Sequence, residues 1–267
     1  MMKLEGRKAI VTGAAQGIGR GIAEELARAG CDVLVGDLLD RPETALAASE
    51  TLSGIEALGR RALAVQCDVR LEEDCEALVR TAREQLGGLD ILVCNAGVMQ
   101  IGGVSEITSE QWRRVLDVNL TGTFQCCRAA LPHMLEAASG VIVNIASTTG
   151  LRTSGERVAY SSSKFGVVGL TQALASEVAP KGVRVNCVCP AFVRSGMSVG
   201  ELMQQTGIED PARADAAWTK LGEKTGPLGR SVEPSDIGRA VVWLCESEMV
   251  VGIALPVTGG NGLPGLT

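Results

Sequence analysis

The sequence predicts an α/β fold in which a doubly wound, seven-stranded parallel sheet carries helices on both faces. Short apolar segments alternate with longer amphipathic segments along the whole chain. Because the short segments are apolar at consecutive positions, both faces of each strand must be buried, as in a parallel sheet covered by helices. Strict alternation of strands and helices with short connections is typical of a doubly wound sheet.

The predicted elements follow one another in chain order. The strand candidates are KAIVT, DVLVGD, ALAVQCDV, LDILVCNAG, GVIVNIAS, VRVNCVCP and GIALPV. The helix candidates between them are GIGRGIAEELARAG, PETALAASETLSGIEALG, EEDCEALVRTAREQLG, SEQWRRVLDVNLTGTFQCCRAALPHML, YSSSKFGVVGLTQALASEVAP and EPSDIGRAVVWLCE. Gly30, Gly59 and Gly87 follow three of these helices, where the left-handed conformation open to glycine ends a helix.

One segment departs from the alternation. From about residue 192 to residue 230, Gly, Pro, Met and charged residues mix without a strand pattern. A connection of this length inside a compact domain is usually functional, so we expect it to form a lid over the substrate. The chain contains no linker or repeat, and residues 1–267 are therefore expected to form a single domain.

Composition excludes several classes of function. The net charge of −6 disfavours a nucleic acid partner, which would need clustered Lys and Arg. No apolar run is long enough to span a membrane. The start MMKLEGRKAIVTG lacks the profile of a signal peptide, so we expect a cytoplasmic protein.

The nine cysteines do not suggest a metal site. They form no C-x-x-C pair, and the only histidine, His133, has no metal-ligand spacing to any of them. Most lie inside apolar runs, so we expect buried free thiols in a reducing compartment and no bound metal.

A glycine-rich turn follows the first predicted strand. The segment TGAAQGIG places Gly13, Gly17 and Gly19 where the backbone can turn tightly and a pyrophosphate can approach the helix N-terminus. The second strand ends in Asp37, whose carboxylate could accept hydrogen bonds from the adenosine ribose and repel a 2′-phosphate. No Arg or Lys lies within the glycine turn. The motif therefore predicts NAD rather than NADP, although Asp37 could instead cap the next helix.

Polar residues also follow the third and fourth strands, with Asp68 in CDV and Asn95 in NAG. Ligands bind at this carboxyl edge in open α/β sheets. Asp, Asn and Gly also favour turns for purely local reasons. Their occurrence after successive strands favours a binding site.

The only tyrosine of the chain, Tyr160, precedes Lys164 by four residues in YSSSK. This spacing places both side chains on one face of a helix. A free phenol has a pKa near ~10. A nearby cation can lower that pKa toward the range of a useful acid or base. The pair predicts proton transfer, although the same spacing also occurs by chance on helix surfaces.

Together these motifs resemble the short-chain dehydrogenase/reductase family along nearly the whole chain. The matching segments are TGAAQGIG at 12–19, CDV at 67–69, NAG at 95–97, Asn119 in DVNLTG, Ser147 in VNIAST, and Tyr160 with Lys164 in YSSSK. Ser147 precedes Tyr160 by thirteen residues, a separation usual in the family. The resemblance implies an NAD-binding Rossmann-like oxidoreductase assembled as a homotetramer or a dimer.

The resemblance also implies roles for individual residues. Tyr160 would be the general acid in carbonyl reduction and the base in alcohol oxidation, with Ser147 holding the substrate oxygen beside it. Lys164 would hydrogen-bond the nicotinamide ribose, and Asn119 would hold a water that links Lys164 to solvent. The cofactor contacts would come from Gly13, Gln16, Gly17, Ile18, Gly19, Asp37, Leu38, Asp68, Val69, Asn95, Ala96, Gly97, Tyr160, Lys164, Pro190, Val193 and Ser195.

Four sites depart from the commonest family pattern. Cys94 replaces an Asn that often precedes NAG, and Ala191 follows Pro190 where the family usually has Gly. Because Ala adopts positive φ less readily, the loop after the sixth strand could take a different course. Ser195 replaces a Thr but keeps a hydroxyl, and LPVTGGNGLPG at the chain end lacks the usual acidic residue. These departures bear on substrate choice and loop geometry and leave the catalytic groups intact.

Substrate contacts are expected from residues 99–104, 148–158 and 192–230. The apolar candidates are Met99, Ile101, Leu151, Phe192, Met197, Met203 and Trp218, and the charged candidates are Arg152, Glu156, Arg157 and Arg194. A secondary alcohol or its ketone would fit, such as a polyol, a sugar or a cyclic alcohol. The alternatives are an NAD(H)-binding scaffold or sensor without turnover, an NADP-dependent 3-oxoacyl reductase, and an enoyl reductase, which usually spaces its tyrosine and lysine more widely.

Overall fold

The computed structural model describes residues 3–153, 155–191 and 193–261, which contain a seven-stranded parallel sheet. Its strands are β1 (Lys8–Thr12), β2 (Asp32–Asp37), β3 (Ala62–Gln66), β4 (Ile91–Cys94), β5 (Gly140–Ile145), β6 (Val183–Pro190) and β7 (Ala254–Val257). They lie in the order β3-β2-β1-β4-β5-β6-β7. The order of the strands reverses between β1 and β4, because β2 and β3 are added on one side of β1 and the later strands on the other. Open parallel sheets bind ligands at such a point.

The helices are those predicted, with two additions. They are α1 (Gly17–Arg28), α2 (Pro42–Ala57), α3 (Glu72–Thr81), α4 (Ser109–Leu116), α5 (Gly122–Glu136), α6 (Val158–Val178), α7 (Gly196–Thr206), α8 (Pro211–Thr225) and α9 (Pro234–Glu246). The single long helix predicted over residues 109–135 is instead two helices joined by a π-helical turn, Asp117–Thr121. Gly30, Gly59 and Gly87 adopt φ values of +100°, +76° and +88°, as predicted for helix ends.

The segment predicted to be irregular, 192–230, contains α7 and α8. Ser195 caps α7 by accepting a hydrogen bond from the Ser198 backbone N–H, and Asp210 caps α8 ahead of Pro211. None of the residues of α7, all of which the structure describes, is fully buried. Phe192, which was expected to contact substrate, lies outside the described residues.

Apolar layers cover both faces of the sheet. On one face, α1 and α9 contribute Ile22, Leu26, Ile237, Val241 and Leu244 to the core. On the other face, α3, α5 and α6 contribute Leu78, Cys126, Met134, Leu174 and Val178. Each large side chain buried in this way stabilises the fold by about 1.5–3 kcal/mol. The two layers therefore hold the carboxyl edge of the sheet as a rigid platform.

The cysteines belong to these layers. All nine lie in described segments, where they are buried and free, as the sequence predicts. Cys75 on α3 and Cys126 on α5 approach each other to 3.6 Å between sulfur atoms. Among the helices that the structure describes, none is both long and apolar enough to cross a bilayer.

Candidate active site

A cavity of about 710 Å³ opens at the carboxyl edge of the sheet. Every residue predicted to bind cofactor lines it, and so do Ser147, Tyr160 and Lys164. Asn119 is fully buried behind it. The fold thus brings together motifs that are spread over most of the chain. No group of three His, Cys, Asp or Glu side chains in the described segments is arranged to hold a metal ion.

The glycine turn is shaped by close backbone packing. Gly13 has φ of +64°, and a Cβ atom there would lie 2.8 Å from the Ala96 Cα. A Cβ atom at Gly19 would lie 2.1 Å from the Gly13 carbonyl oxygen. The Asn95 amide donates hydrogen bonds to the carbonyls of Thr12 and Gly13, at 3.0 and 2.9 Å. These contacts require glycine and hold the turn against the end of β4.

The turn presents the first backbone N–H groups of α1 to the cavity. Gln16 precedes the helix, and its side chain makes no capping hydrogen bond. Uncapped N–H groups at a helix N-terminus favour an anion. The glycine turn and this helix start therefore fit the pyrophosphate of a dinucleotide.

Asp37 lies at the end of β2 on the wall of the same cavity. Its carboxylate accepts hydrogen bonds from the backbone N–H groups of Ala15 and Leu38, both at 2.9 Å. The residue preceding α2 is Arg41, and the helix begins at Pro42. Asp37 is therefore not the cap of that helix, and the alternative interpretation of this carboxylate is wrong.

Asp68 and Val69 follow β3. The Asp68 carboxylate accepts hydrogen bonds from the Arg70 guanidinium, with Nε at 2.9 and 3.0 Å from the two oxygens. This cation holds the pKa of Asp68 below its usual value. Arg70 and Arg41 also line the cavity, and the motif analysis did not include them. The sequence could have indicated both arginines, because they closely follow Asp68 and Asp37 in the chain.

Tyr160 and Ser147 meet on the opposite side of the cavity. Tyr160 lies on α6 and is 8% exposed. Ser147 follows β5, and its hydroxyl is close enough to the phenol to lower the pKa of Tyr160. The Ser147 oxygen also accepts hydrogen bonds from the Thr149 backbone N–H at 3.2 Å and from the Thr149 hydroxyl at 3.0 Å. The end of one strand and the start of one helix thus place two hydroxyl groups side by side.

Lys164 lies one turn further along α6 and is 4% exposed. Its ammonium donates a hydrogen bond to the Ile145 carbonyl at 2.8 Å and lies 5.7 Å from the centre of the Tyr160 ring. Burial lowers the pKa of Lys164 from 10.5 to about 8. The lysine is therefore predominantly protonated at neutral pH.

The proton affinity of Tyr160 differs from the sequence expectation. Burial raises the pKa of the phenol above its usual value, and the Ser147 hydroxyl acts in the opposite direction. The cation that lowers this pKa is Arg157, and the carboxylate of Glu201 raises it. Lys164 is not among the groups that lower the pKa of Tyr160, although its ammonium lies on the same side of the cavity. Burial therefore has the largest effect on the pKa of Tyr160.

Asn119 occupies the π-helical turn between α4 and α5. Its Oδ1 accepts a hydrogen bond from the Val98 N–H at 2.8 Å. Its Nδ2 donates to the Val98 carbonyl at 2.9 Å and to the Ser163 hydroxyl at 3.0 Å. A π-helical turn re-aims side chains within an otherwise regular helix. The turn here directs Asn119 at the loop after β4, behind Gly97.

The departures from the family pattern are accommodated locally. Ala191 donates its N–H to the Val257 carbonyl at 3.1 Å. Apart from glycine, Ala138 alone among the described residues has positive φ, so Ala191 needs no unusual backbone conformation. Cys94 packs in the core, with its sulfur 3.9 Å from that of Cys127. At the chain end, residues 262–265 of LPVTGGNGLPG lie outside the described residues.

Only some of the residues predicted to contact substrate line the cavity. Met99, Arg152, Arg157, Met197 and Trp218 line the cavity. Five other predicted contacts that the structure describes do not line the cavity: Ile101, Leu151, Met203, Glu156 and Arg194. The cavity is also lined by residues that the sequence did not single out, of which only Arg114 lies outside the segments expected to contact substrate: Arg114, Glu201, Leu202, Gln205 and Leu221. Four of these five lie on α7 and α8, whose placement no local pattern specifies.

Comparison with known proteins gives consistent results. A family model described as short chain dehydrogenase matches residues 7–206. Oxidoreductase UcpA of Salmonella typhimurium is 37% identical over 268 residues, which cover 99% of this chain and 97% of that protein. An uncharacterized NAD-dependent oxidoreductase of Mycobacterium tuberculosis is 37% identical, with 96% of each chain covered. Carveol dehydrogenase from Mycobacterium avium, solved in complex with NAD, is 33% identical with a TM-score of 0.88, covering 97% of this chain and 98% of that one.

Proposed function

Because the chain belongs to the short-chain dehydrogenase family of oxidoreductases, we propose that it uses NAD to interconvert a secondary alcohol and its ketone. One observation carries the proposal. Ser147 and Tyr160 line the same cavity as the glycine turn and Asp37, and the Ser147 hydroxyl is close enough to lower the pKa of the phenol. A proton-transfer pair beside a dinucleotide site is the arrangement that alcohol oxidation and carbonyl reduction require.

The described residues fit a dinucleotide along the cavity. The pyrophosphate would lie against the turn from Gly13 to Gly19, and the adenosine ribose against Asp37. Lys164, Pro190, Val193 and Ser195 would hold the nicotinamide end. Hydride transfer is the chemistry that NAD supplies when bound. The NAD-dependent relative and the NAD complex of carveol dehydrogenase support NAD as the cofactor.

Tyr160 would transfer the proton. In ketone reduction the phenol donates its proton to the carbonyl oxygen, and in alcohol oxidation the phenolate accepts the hydroxyl proton. Ser147 donates a hydrogen bond to the same substrate oxygen and fixes its position beside the phenol. The Lys164 ammonium orients the cofactor ribose and supplies positive charge near the phenolate. Asn119 holds the loop after β4 in place through its two bonds to Val98.

The substrate wall combines apolar and charged groups. Met99, Met197 and Trp218 offer an apolar surface, while Arg152 and Arg157 add positive charge. A polyol, a sugar or a cyclic alcohol fits such a wall. The name of carveol dehydrogenase supports an alcohol substrate. We further propose that residues 1–267 form one domain, with the segment 192–230 acting as a lid.

Replacing the phenol tests this proposal. Tyr160→Phe and its control Gln172→Ala, an exposed position on the same helix, are assayed beside the parent on a panel of secondary alcohols, following absorbance of reduced cofactor. We expect Tyr160→Phe to lose about 10²–10⁴-fold in turnover. NADH binding should persist in all three proteins. Turnover that survives without the phenol would show that the assignment of Tyr160 is wrong.

The same assay addresses the second candidate, a scaffold or sensor that binds NAD(H) without turnover. That function would not need Ser147, Tyr160 and Lys164, yet all three are present and grouped. NADH binding by the parent without oxidation of any alcohol on the panel would favour the scaffold.

A further inference from the structure

An ion pair links the lid segment to the helix that carries Tyr160. Arg157 directly precedes α6, three residues before Tyr160, and its guanidinium donates a hydrogen bond to the Glu201 carboxylate on α7. The Glu201 side chain is 11% exposed and that of Arg157 is 31% exposed. Both residues line the same cavity as the phenol.

Glu201 is unusual for its helix. None of the residues of α7, a helix described along its whole length, is fully buried, yet this carboxylate is turned inward. The Gln205 amide also donates to Glu201, at 3.2 Å. Removing a carboxylate from water is unfavourable unless a partner charge compensates it. Arg157 supplies that compensation, and the ion pair therefore ties α7 to the start of α6.

We propose that Arg157 and Glu201 form a latch that holds α7 over the substrate and balances the charge beside Tyr160. When the latch is closed, the two charges largely cancel at the phenol. When α7 moves away, the Glu201 carboxylate leaves and the Arg157 cation remains. This proposal rests on the proposed function, because it assigns Arg157 and Glu201 as positioning residues for the same proton transfer.

The electrostatic effect of each partner has a definite sign. A cation beside the phenol favours the phenolate, and an anion disfavours it. Arg157 accordingly lowers the pKa of Tyr160, and Glu201 raises it. The other charged groups on this part of the cavity wall are Lys164 on α6, Arg152 before α6 and Arg114 on α4. They stay the same when one latch residue is replaced, so the comparison isolates the latch.

The single tyrosine allows a direct measurement. Tyrosine labelled isotopically at Cζ gives one NMR resonance, whose titration reports the phenol without any substrate or turnover. The parent is compared with Arg157→Gln, Glu201→Gln and the double variant. We expect the pKa to fall by about one pH unit in Glu201→Gln and to rise by about as much in Arg157→Gln. The double variant should titrate near the parent.

The chain offers a matched control. Arg194 and Asp215 form a second ion pair within residues 192–230, at 2.7 Å, with side chains 44% and 38% exposed. Neither lines the cavity formed by the described residues. Arg194→Gln should therefore leave the titration of Tyr160 unchanged. The charge-preserving variant Arg157→Lys should restore the parent titration.

Loss of the latch should also raise KM more than it changes kcat for the best alcohol, because an open α7 contacts the substrate less. Two results would overturn the proposal. The pKa of Tyr160 could shift equally and in the same direction in Arg157→Gln and Glu201→Gln, or it could shift in neither variant. An ion pair without an electrostatic effect on the phenol predicts no shift, and a general disturbance of the fold predicts shifts in the same direction. Because the titration needs no turnover, its outcome is independent of whether the panel of alcohols contains a substrate.

Discussion

At the scale of single residues, we propose that the carboxylate of Asp37 selects between NAD and NADP. It is held by the backbone N–H groups of Ala15 and Leu38, so it cannot rotate away without losing two hydrogen bonds. A 2′-phosphate placed against it would meet a fixed negative charge. We therefore expect the preference for NAD to depend on this charge and on its fixed position.

Neutralising that charge should relax the cofactor preference. In Asp37→Asn, we expect turnover with NADP at low cofactor concentration to rise at least tenfold relative to turnover with NAD, since the repulsion is removed. Asp40→Asn, an exposed charge three residues further on, is the control and should keep the parent ratio. Comparable use of both cofactors by the parent itself would contradict the role of Asp37.

Lys164 illustrates a functional group that destabilises its own fold. Its pKa is about 8 in the folded protein and 10.5 when unperturbed, because burial disfavours the ammonium. Between about pH 8 and 10.5 the unfolded chain binds more protons at this site, so stability rises with pH across that window. Below about pH 8 both states are protonated, and the full unfavourable effect of burial is present.

Replacing Lys164 by methionine should therefore stabilise the protein while abolishing turnover. We expect Tm at pH 7 to rise by roughly 2–4 °C, corresponding to about 1 kcal/mol after loss of the bond to the Ile145 carbonyl. The gain should shrink as the pH approaches 10.5. The gain in Tm is measured by thermal unfolding of the parent, Lys164→Met and the exposed control Lys181→Met. A gain that does not change with pH would mean that the charge of the lysine is not its cause.

At the scale of elements, the π-helical turn Asp117–Thr121 sets the course of the loop after β4. A regular helix through this region would keep its successive side chains at the usual spacing of 3.6 residues per turn. The π turn instead lets Asn119 satisfy both backbone groups of Val98 while it is fully buried. The loop that begins at Asn95 is thereby fixed beside the cavity.

Removing this amide should weaken the fold as well as the site. Asn119→Ala leaves the Val98 N–H and carbonyl without their partner, at an expected loss of about 2–4 kcal/mol in the free energy of unfolding. Urea denaturation measures this loss. Thr121→Ala, an exposed position in the same turn, should change stability by less than about 0.5 kcal/mol. Equal effects of the two variants would contradict the structural role of the amide.

At the scale of the whole molecule, exposed aromatic side chains indicate how the chain could assemble. Phe124 on α5 and Phe165 on α6 are each 45% exposed. Exposed apolar surface on neighbouring helices is a common feature of subunit interfaces. We propose that α5 and α6 form such an interface and that the protein is a homotetramer, with a dimer as the alternative.

A charge placed on this surface should break the assembly. We expect Phe165→Glu to reduce the mass in solution, measured by light scattering after gel filtration, from that of a tetramer to that of a smaller species. Leu46→Glu, on the exposed side of α2, introduces the same charge at a position 66% exposed and should leave the mass unchanged. A parent protein that is monomeric would refute the proposed interface.

The parts of the fold that the sequence predicted are those with local causes. The inner strands are runs of apolar residues whose burial on both faces follows from their own composition, whereas the edge strands β3 and β7 are only partly buried. The break in the predicted helix over 109–135 was missed because a π turn keeps a helical pattern while changing its register. The helices α7 and α8 were missed because Gly, Pro and charged residues interrupt this segment, although α8 buries Ala214, Trp218 and Gly222 at helical spacing.

The candidate site shows the same division. The glycine turn and YSSSK are short motifs in which neighbouring residues meet by helix or turn geometry alone, so the sequence by itself determined the fold class, the cofactor edge of the sheet and the Tyr160–Lys164 pair. The contact of Arg157 with Glu201 spans 44 residues, and the burial that raises the pKa of Tyr160 comes from several elements. Only the tertiary structure decided these features, because they depend on how separate helices pack around one cavity.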